Sequence, residues 1–459
     1  MFSIHTTRGS LAIIVVDILL CYLFFSLFLV LIPSPYNLFF IFDVYCLIVF
    51  TFFTLVIVFS LAITNLYSFF ELIIPTELFK RIVLAFLISC GYIVTLSFFI
   101  RYLALINWRL LPPLAATYVS LFFFRYLVLY GIEKNRKKVL IIGSNDLTRE
   151  IIAETMKRSF RGYSISGVIT SLESQLSTSI QNVPVLGLIG ELEEIAVSRP
   201  IDIIVVTLRD RRGKLPVRSL LKLKLAGISI HEGSSFYEET KKKIIIDEFL
   251  KPSWFIFEEG FSQTPLHRSL KRAQGIFVSS ILLTVLFPVF LFIALLIKME
   301  SSGPVFYLQE RVGLNGRIFK LIKYRSMDTA AEALSGPTFT QDKDPRVTRI
   351  GKVIRKFRID EMPQFINILK GDMDLVGPRP ERPVFVEHLE EVVPYYNLRH
   401  SVRPGLTGWA QVNYPYGDSL EDSKEKLQYD LYYVKHSSWF FDLYIMMLTI
   451  KEILTAKGR

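Results

Sequence analysis

The sequence predicts a membrane α/β protein: a four-helix transmembrane bundle, a Rossmann-like doubly wound middle domain, and a C-terminal α/β domain entered through an apolar, re-entrant helix pair. Three observations carry this. The 459 residues are 51% hydrophobic and only 21% charged, with a mean hydropathy of +0.40, whereas soluble chains carry about 25% charged residues. Apolar runs of spanning length crowd the first 135 residues, and from Lys137 short apolar strands alternate with amphipathic helices. Soluble, disordered and fibrous classes are excluded. Cys21, Cys46 and Cys90 all lie inside apolar runs without paired spacing, so they form neither a disulfide nor a metal framework.

Residues 11–32, 44–64 and 82–100 each approach the roughly 20 apolar residues that cross about 30 Å of hydrocarbon. A fourth span, 110–131, contains Pro112, Pro113 and Arg125, whose long side chain can snorkel toward the basic flank that follows. The first run is longer than a signal-peptide core and lacks a small-residue cleavage site, so it reads as an anchor. Arg8, Lys80, Arg81 and the cluster Lys134, Arg136, Lys137 and Lys138 fall on one side of a four-span chain, which makes that side the cytoplasm. Residues 1–130 hold six Lys and Arg against four Asp and Glu, so most of the net +11 lies beyond them and faces acidic substrates or an acidic surface. The bundle is assigned to 1–135.

Residues 136–235 form the middle domain. KVLIIGSND is a buried strand ending at Gly143, LTREIIAETMKRSF a helix, and GYSISGVIT and IDIIVVTL further strands, an alternation that gives a parallel sheet. The dinucleotide fingerprint Gly-x-Gly-x-x-Gly is absent after Gly143. Tyr237 and Lys241 share the Tyr-x-x-x-Lys spacing of short-chain dehydrogenases, yet Lys241 opens a lysine run and reads better as part of a solvated face. A regulatory or oligomerising role, including a homodimer, suits this domain better than redox chemistry. The linker 236–267 carries Trp254, Phe255, Phe257 and Phe261, which pack either at headgroup level or in a core.

A fifth apolar run, Gly275 to Met299, has Arg268, Lys271 and Arg272 before it and Lys298, Arg311, Arg317, Lys320 and Lys323 after it. Both flanks look cytoplasmic, and Pro288 stands where it removes a helix hydrogen bond. A helix-break-helix over 275–299 that enters one leaflet and returns fits the charges better than a kinked fifth crossing.

Beyond it the chain is dense in Gly, Pro, Arg and acidic residues. It has no phosphate-binding Gly-x-x-x-x-Gly-Lys loop and no histidine pair spaced for a metal. Asp360 and Glu361 stand just ahead of Pro363, which can open the helix MPQFINILK before Gly371 stops it. Simple helix capping explains an isolated acid pair, with Glu361 and Gln364 at capping-box spacing. Here Arg355 precedes the pair and Arg379 follows between two prolines, so cations can converge on it. An ionised Asp beside Arg and a divalent metal can attack phosphorus. Lys323 and Arg379 would clamp phosphate, although surface ion pairing remains an alternative for Lys323.

Residues 268–459 resemble the bacterial sugar transferase domain of the monotopic phosphoglycosyl transferases. The resemblance rests on GPVFYLQERVG at 303–313, KYRSM at 323–327, DPRVTRIG at 344–351, RKFRIDEMPQFINILKGDM at 355–373, LVGPRP at 375–380 and RPGLTGWAQV at 403–412. It implies Asp360 as nucleophile, Glu361 at Mg²⁺, and Arg355 and Arg379 as phosphate-binding arginines; Lys323 and Arg403 complete the candidate phosphate or substrate ligands, and Asp360 is a second candidate ligand for the metal. Its re-entrant hairpin falls on 275–299 with Pro288 at the kink. The implied reaction moves hexose-1-phosphate, with glucose or galactose as the sugar, from a UDP-hexose to undecaprenyl phosphate and releases UMP. It runs by a ping-pong route at the cytoplasmic face of a bacterial inner membrane, initiates exopolysaccharide or capsule synthesis, and involves the lipid bilayer but no nucleic acid. Gly275 and Phe287 depart from the family's usual Asp and Ser. The rival classes are a membrane-bound NAD-dependent nucleotide-sugar dehydratase or epimerase, and a non-catalytic scaffold of polysaccharide assembly.

Overall fold

A run of apolar side chains in lipid can satisfy its backbone only as helix or closed barrel, and the N-terminal region forms helices: α1 (Thr7–Leu31), α2 (Val44–Ile63), α3 (Pro75–Phe99) and α4 (Asn107–Lys134). The computed structural model describes residues 7–31, 44–64, 66–67, 75–99, 107–156, 162–176, 178–209, 213–246, 260–327, 346–415, 417 and 419–454. It divides into two units, Met1–Lys242 and Lys243–Arg459. Pro75–Thr95 and Leu111–Lys134 are each long and apolar enough to cross a membrane, and Ile13–Leu27 and Phe50–Ile63 are shorter apolar stretches. In α1, Ile13, Asp17, Cys21 and Phe25 are buried while Val15, Leu19, Leu23 and Leu27 are exposed. An apolar outer face around a partly polar interior inverts the pattern of a soluble helix and marks a membrane protein.

Helices α1 and α3 each pack on both α2 and α4. Arg125, expected to snorkel, instead turns inward: its two terminal nitrogens donate to Asp17 Oδ1 at 2.9 Å and Oδ2 at 2.6 Å, and its guanidinium lies 5.7 Å from the centre of the Tyr67 ring. A bidentate carboxylate partner inside the helices offers the charge more than a distant headgroup does. Ser60 on α2, Ser89 on α3 and Tyr118 on α4 form a second polar knot.

The middle sheet runs β3 (Ser179–Ile180), β4 (Val183–Leu188), β2 (Tyr163–Thr170), β1 (Lys137–Ile142), β5 (Ile203–Val206), β6 (Ser229–Glu232). All pairings are parallel except β3 with β4. Val139 to Ile142 are fully buried, as a strand covered on both faces requires. At the carboxyl ends of β1 and β5, where strand order reverses, Thr148 Oγ1 meets Gly143 O and Thr207 Oγ1, both at 2.8 Å, and the Asn145 amide donates to the Thr207 carbonyl. Side chains therefore bridge this crevice. Helices α5 (Asp146–Met156), α6 (Leu192–Ser198), α7 (Val217–Leu225) and α8 (Gly233–Lys241) complete the unit. In α8, Tyr237 is buried in the core and Lys241 pairs with Glu154, so the Tyr-x-x-x-Lys spacing belongs to packing rather than to a solvated face.

In the second unit Ile244 and Ile246 already lie in the core, and Ile244 N donates to Gln428 O at 3.0 Å. The expected hairpin is α9 (Pro265–Val285) and α10 (Phe287–Glu300), bent by 64°. Pro288 stands in the first turn of α10, where its missing N–H leaves no helix bond unmade. Phe277, Val285, Leu291 and Phe292 point away from the protein, whereas Ile293 and Ile297 pack on Tyr324 and Ile354.

Two strand pairs follow: β7 (Phe306–Val312) antiparallel to β8 (Ile318–Tyr324), and β9 (Asp374–Val376) parallel to β10 (Gly405–Thr407). The remaining helices are α11 (Arg349–Lys356), α12 (Gln364–Lys370), α13 (Pro383–Val392), α14 (Trp409–Asn413), α15 (Leu420–His436) and α16 (Trp439–Leu454). The aromatic C-terminal stretch divides its work: Tyr433, Phe441 and Ile445 are core, while Trp439, Phe440 and Leu443 are exposed. Trp254, Phe255 and Phe257 lie outside the described residues, and Phe261 packs against the core.

The Asp17–Arg125 pair yields a prediction. Removing one partner of a buried ion pair costs about 3–5 kcal/mol, because the other charge is left unpaired. Arg125→Met or Asp17→Leu alone is expected to lower the melting temperature in detergent markedly, and the double variant to recover most of the loss. Thermal unfolding of the four proteins checks this.

Candidate active site

The acid pair lies on a short 3₁₀ turn, Ile359–Glu361, between α11 and α12. Thr348 caps α11 by accepting from Gly351 N at 2.9 Å, and Glu300, the last residue of α10, accepts from Arg349 N at 2.7 Å. The helix ends in Arg355 and Lys356, where cations suit the dipole. Arg358 then adopts a left-handed conformation, φ +53°, that reverses the chain into the turn. A non-glycine residue there is strained, and such strain gathers at working sites. Pro363 leads into α12, and Gly371, φ +91°, closes it with a left-handed cap that a side chain would disfavour. The predicted Glu361–Gln364 capping box does not form: Pro363 occupies the cap position without a side-chain hydrogen bond.

Arg379 Nη2 donates to Glu361 Oε1 at 2.7 Å, and Lys323 Nζ, from the end of β8, reaches the same oxygen at 3.3 Å. Glu361 is buried and Asp360 half-buried. For Asp360, burial and then the neighbouring Glu361 charge push the carboxyl up to about 6, against the pull of Lys323, Arg355 and Arg379. For Glu361, burial also works upward, but Arg379 and Lys323 outweigh it and hold the carboxyl well below the usual carboxylate range. Burial lowers the Lys323 ammonium from its ordinary value, with Glu361 opposing. Environments that drive two adjacent carboxyls apart assign them different tasks: Glu361 is a fixed anion, and Asp360 an ionised group close to taking a proton.

Lys323, Arg355 and Arg379 thus gather on the pair. Arg403 has a carboxylate partner outside the pair: its Nη1 is 3.8 Å from Asp374 Oδ1. Pro288 sits in the hairpin, whose second arm is tied to the site through β8. The Tyr324 hydroxyl donates to Phe290 O at 3.1 Å, and Arg325 donates to Ser301 O at 2.8 Å and Ser302 O at 2.7 Å. Arg272, on the first arm, donates to the Ile368 and Leu369 carbonyls at the end of α12.

Several contributors carry no sequence signature of their own. Asn367 bridges β8 to α12, accepting from Ile322 N at 3.0 Å and donating to Lys320 O at 2.8 Å. Arg399, buried beside Asp430, donates to the Arg379 carbonyl at 2.9 Å. The motif glycines are legible: a Cβ on Gly405 would collide with the Gly377 backbone, as would one on Gly408. Only bare backbones let β9 and β10 meet this closely.

Among the described residues no group of three or more His, Cys, Asp or Glu gathers around a metal position. Mg²⁺, however, retains waters and takes one or two carboxylates with substrate phosphate oxygens, and the adjacent Asp360 and Glu361 carboxylates fit that demand.

The raised Asp360 carboxyl has a measurable consequence. Its ionised form is disfavoured by the fold, so the cost is present above about pH 6 and gone below about pH 4. Asp360→Asn is expected to melt at a higher temperature than the parent at pH 8, with the difference shrinking as pH falls through 6. Thermal unfolding across pH checks it.

Residues 266–456 match the family described as bacterial sugar transferase. The N-acetylgalactosaminephosphotransferase acting between UDP-N-acetylgalactosamine and undecaprenyl phosphate in Aeromonas hydrophila is 48% identical over 195 residues, 42% of this chain and 46% of that protein. The UDP-glucose:undecaprenyl-phosphate glucose-1-phosphate transferase of Escherichia coli (strain K12) is 42% identical over 192 residues, 41% of each chain. The match spans less than half the length of both. The exopolysaccharide production protein PSS of Rhizobium leguminosarum bv. phaseoli is 43% identical over 195 residues, 41% of this chain but 98% of its own length. Since a relative is matched almost end to end by the segment that builds the acid pair and its cations, the chain belongs to the bacterial sugar transferase family.

Proposed function

We propose that this protein transfers a sugar-1-phosphate from a UDP-sugar to undecaprenyl phosphate, releasing UMP and initiating a polysaccharide. The observation that carries the reading is the divided acid pair: two adjacent carboxyls, one locked as an anion by Arg379 and Lys323, the other poised near pH 6. The Asp360 carboxylate attacks the β-phosphorus of the donor. The P–O bond to the α-phosphate breaks, UMP leaves, and an acyl phosphate linking Asp360 to the sugar-1-phosphate remains. An oxygen of undecaprenyl phosphate then attacks the same phosphorus, and the Asp360 carboxylate leaves as the polyprenyl diphosphosugar forms. Lys323, Arg355 and Arg379 offset the repulsion between carboxylate and phosphate. Mg²⁺ held by Glu361 and Asp360 would neutralise diphosphate charge.

In this reading α1 to α4 span the bacterial inner membrane, α9 and α10 form a re-entrant hairpin, and the acid pair faces the cytoplasm at headgroup depth. The middle domain is read as Rossmann-like, and the hydrogen bonds of Thr148 and Asn145 to Thr207 across the β1–β5 crevice support a role other than dinucleotide binding. Glucose and N-acetylgalactosamine, the sugars in the relatives' names, are the first donors to test, with galactose beside them.

Purified full-length protein in nanodiscs, given each UDP-sugar without acceptor, is expected to release one burst of UMP per enzyme with one donor. Mass spectrometry should then find a phosphosugar adduct on the Asp360 peptide. Asp360→Asn should lose both and at least 10³-fold in turnover; steady turnover by that variant would refute the proposal. Because the nucleophile must be ionised, the rate should fall as pH drops through about 6.

A further inference from the structure

Arg379 stands between Pro378 and Pro380, which have no N–H to give, so the segment cannot be fastened through its neighbours' amides. It is fastened through carbonyls instead. Four in succession are engaged: Pro378 O accepts from Gly405 N at 3.0 Å, Arg379 O from Arg399 Nη2 at 2.9 Å, Pro380 O from Arg311 Nη1 at 2.8 Å, and Glu381 O from Val312 N at 2.9 Å. The bond to Arg379's own carbonyl comes from a buried charge. Arg399 is 6% exposed, pairs with Asp430 Oδ2 at 2.8 Å, donates to the Tyr396 hydroxyl, and lies 5.0 Å from the centre of the Tyr396 ring. Tyr396 takes Nη1 and Asp430, from α15, takes Nη2, so both terminal nitrogens of the planar fork are engaged.

We propose that Arg399, held by Asp430 and Tyr396, is a positioning residue for the reaction: it fixes the backbone of Arg379 so that the Arg379 guanidinium stays on Glu361. A buried ion pair is a costly way to gain stability, whereas fixing the donor geometry of a phosphate-facing arginine is a task that a guanidinium fork performs and an ammonium does not. The role rests on the proposed reaction and lies behind it, since Arg399 touches Arg379 rather than the acid pair.

Arg399→Lys keeps a positive partner for Asp430 but loses the second donor arm. The donor half-reaction, read as the UMP burst without acceptor, is expected to slow at least tenfold, while the KM for undecaprenyl phosphate stays within twofold. Should Arg399→Lys not fold, Arg399→Gln with Asp430→Asn removes both buried charges together, and the same slowed burst with an unchanged acceptor KM is expected because glutamine is too short for the Arg379 carbonyl. A folded variant with the parental burst rate overturns the inference, as does an equal loss in both half-reactions. A parent that itself shows no burst overturns the reaction instead.

Discussion

Two carboxyl groups next to each other in sequence and sheltered from water cannot both be ordinary anions, and the second half of this protein is organised around that constraint. The solution is asymmetric. Arg379 and Lys323 both take Glu361 Oε1, and Asp360 is left with cations that act on it without so close a bond. Glu361 thereby supplies a negative charge that pushes the Asp360 carboxyl upward, and the strained turn at Arg358 places the pair between two helices.

Each cation is delivered by a different part of the chain. Lys323 stands one residue before the end of β8, and the next two residues, Tyr324 and Arg325, grip the second arm of the apolar hairpin and the residues just after it. Strand β8 therefore has the hairpin at one residue and the acid pair at the one before. Arg379 comes on a proline-flanked segment held by its carbonyls, and Arg355 on a short helix capped by the last residue of α10. The hairpin is thus mechanically continuous with the site through β8 and α11.

Much of this was legible in the sequence, for identifiable reasons. Periodicity and length exposed the apolar helices, and the basic flanks with Pro288 exposed the break between α9 and α10. The acid pair emerged because arginines flank it in sequence, and the glycines of the 375–380 and 403–412 motifs because close backbone contact admits little else. What stayed hidden depends on distant partners. Arg125 looked like a snorkelling residue because its carboxylate is more than a hundred positions away, and Lys241 looked solvated because its partner Glu154 comes from an earlier helix. Nothing local distinguishes Arg399 from its neighbours in NLRHS.

The Arg272 contact at the end of α12 bears on how that helix is completed. Seven residues make too short a helix to persist by themselves, and the carbonyls that would fray α12 are held by a guanidinium from the hairpin's first arm. The last turn of α12, and with it the strand-to-helix bridge made by Asn367, is therefore completed by a side chain that lies about a hundred positions earlier in the chain. A change that displaces residues 265–285 is felt at the helix that follows the acid pair, without touching either carboxyl.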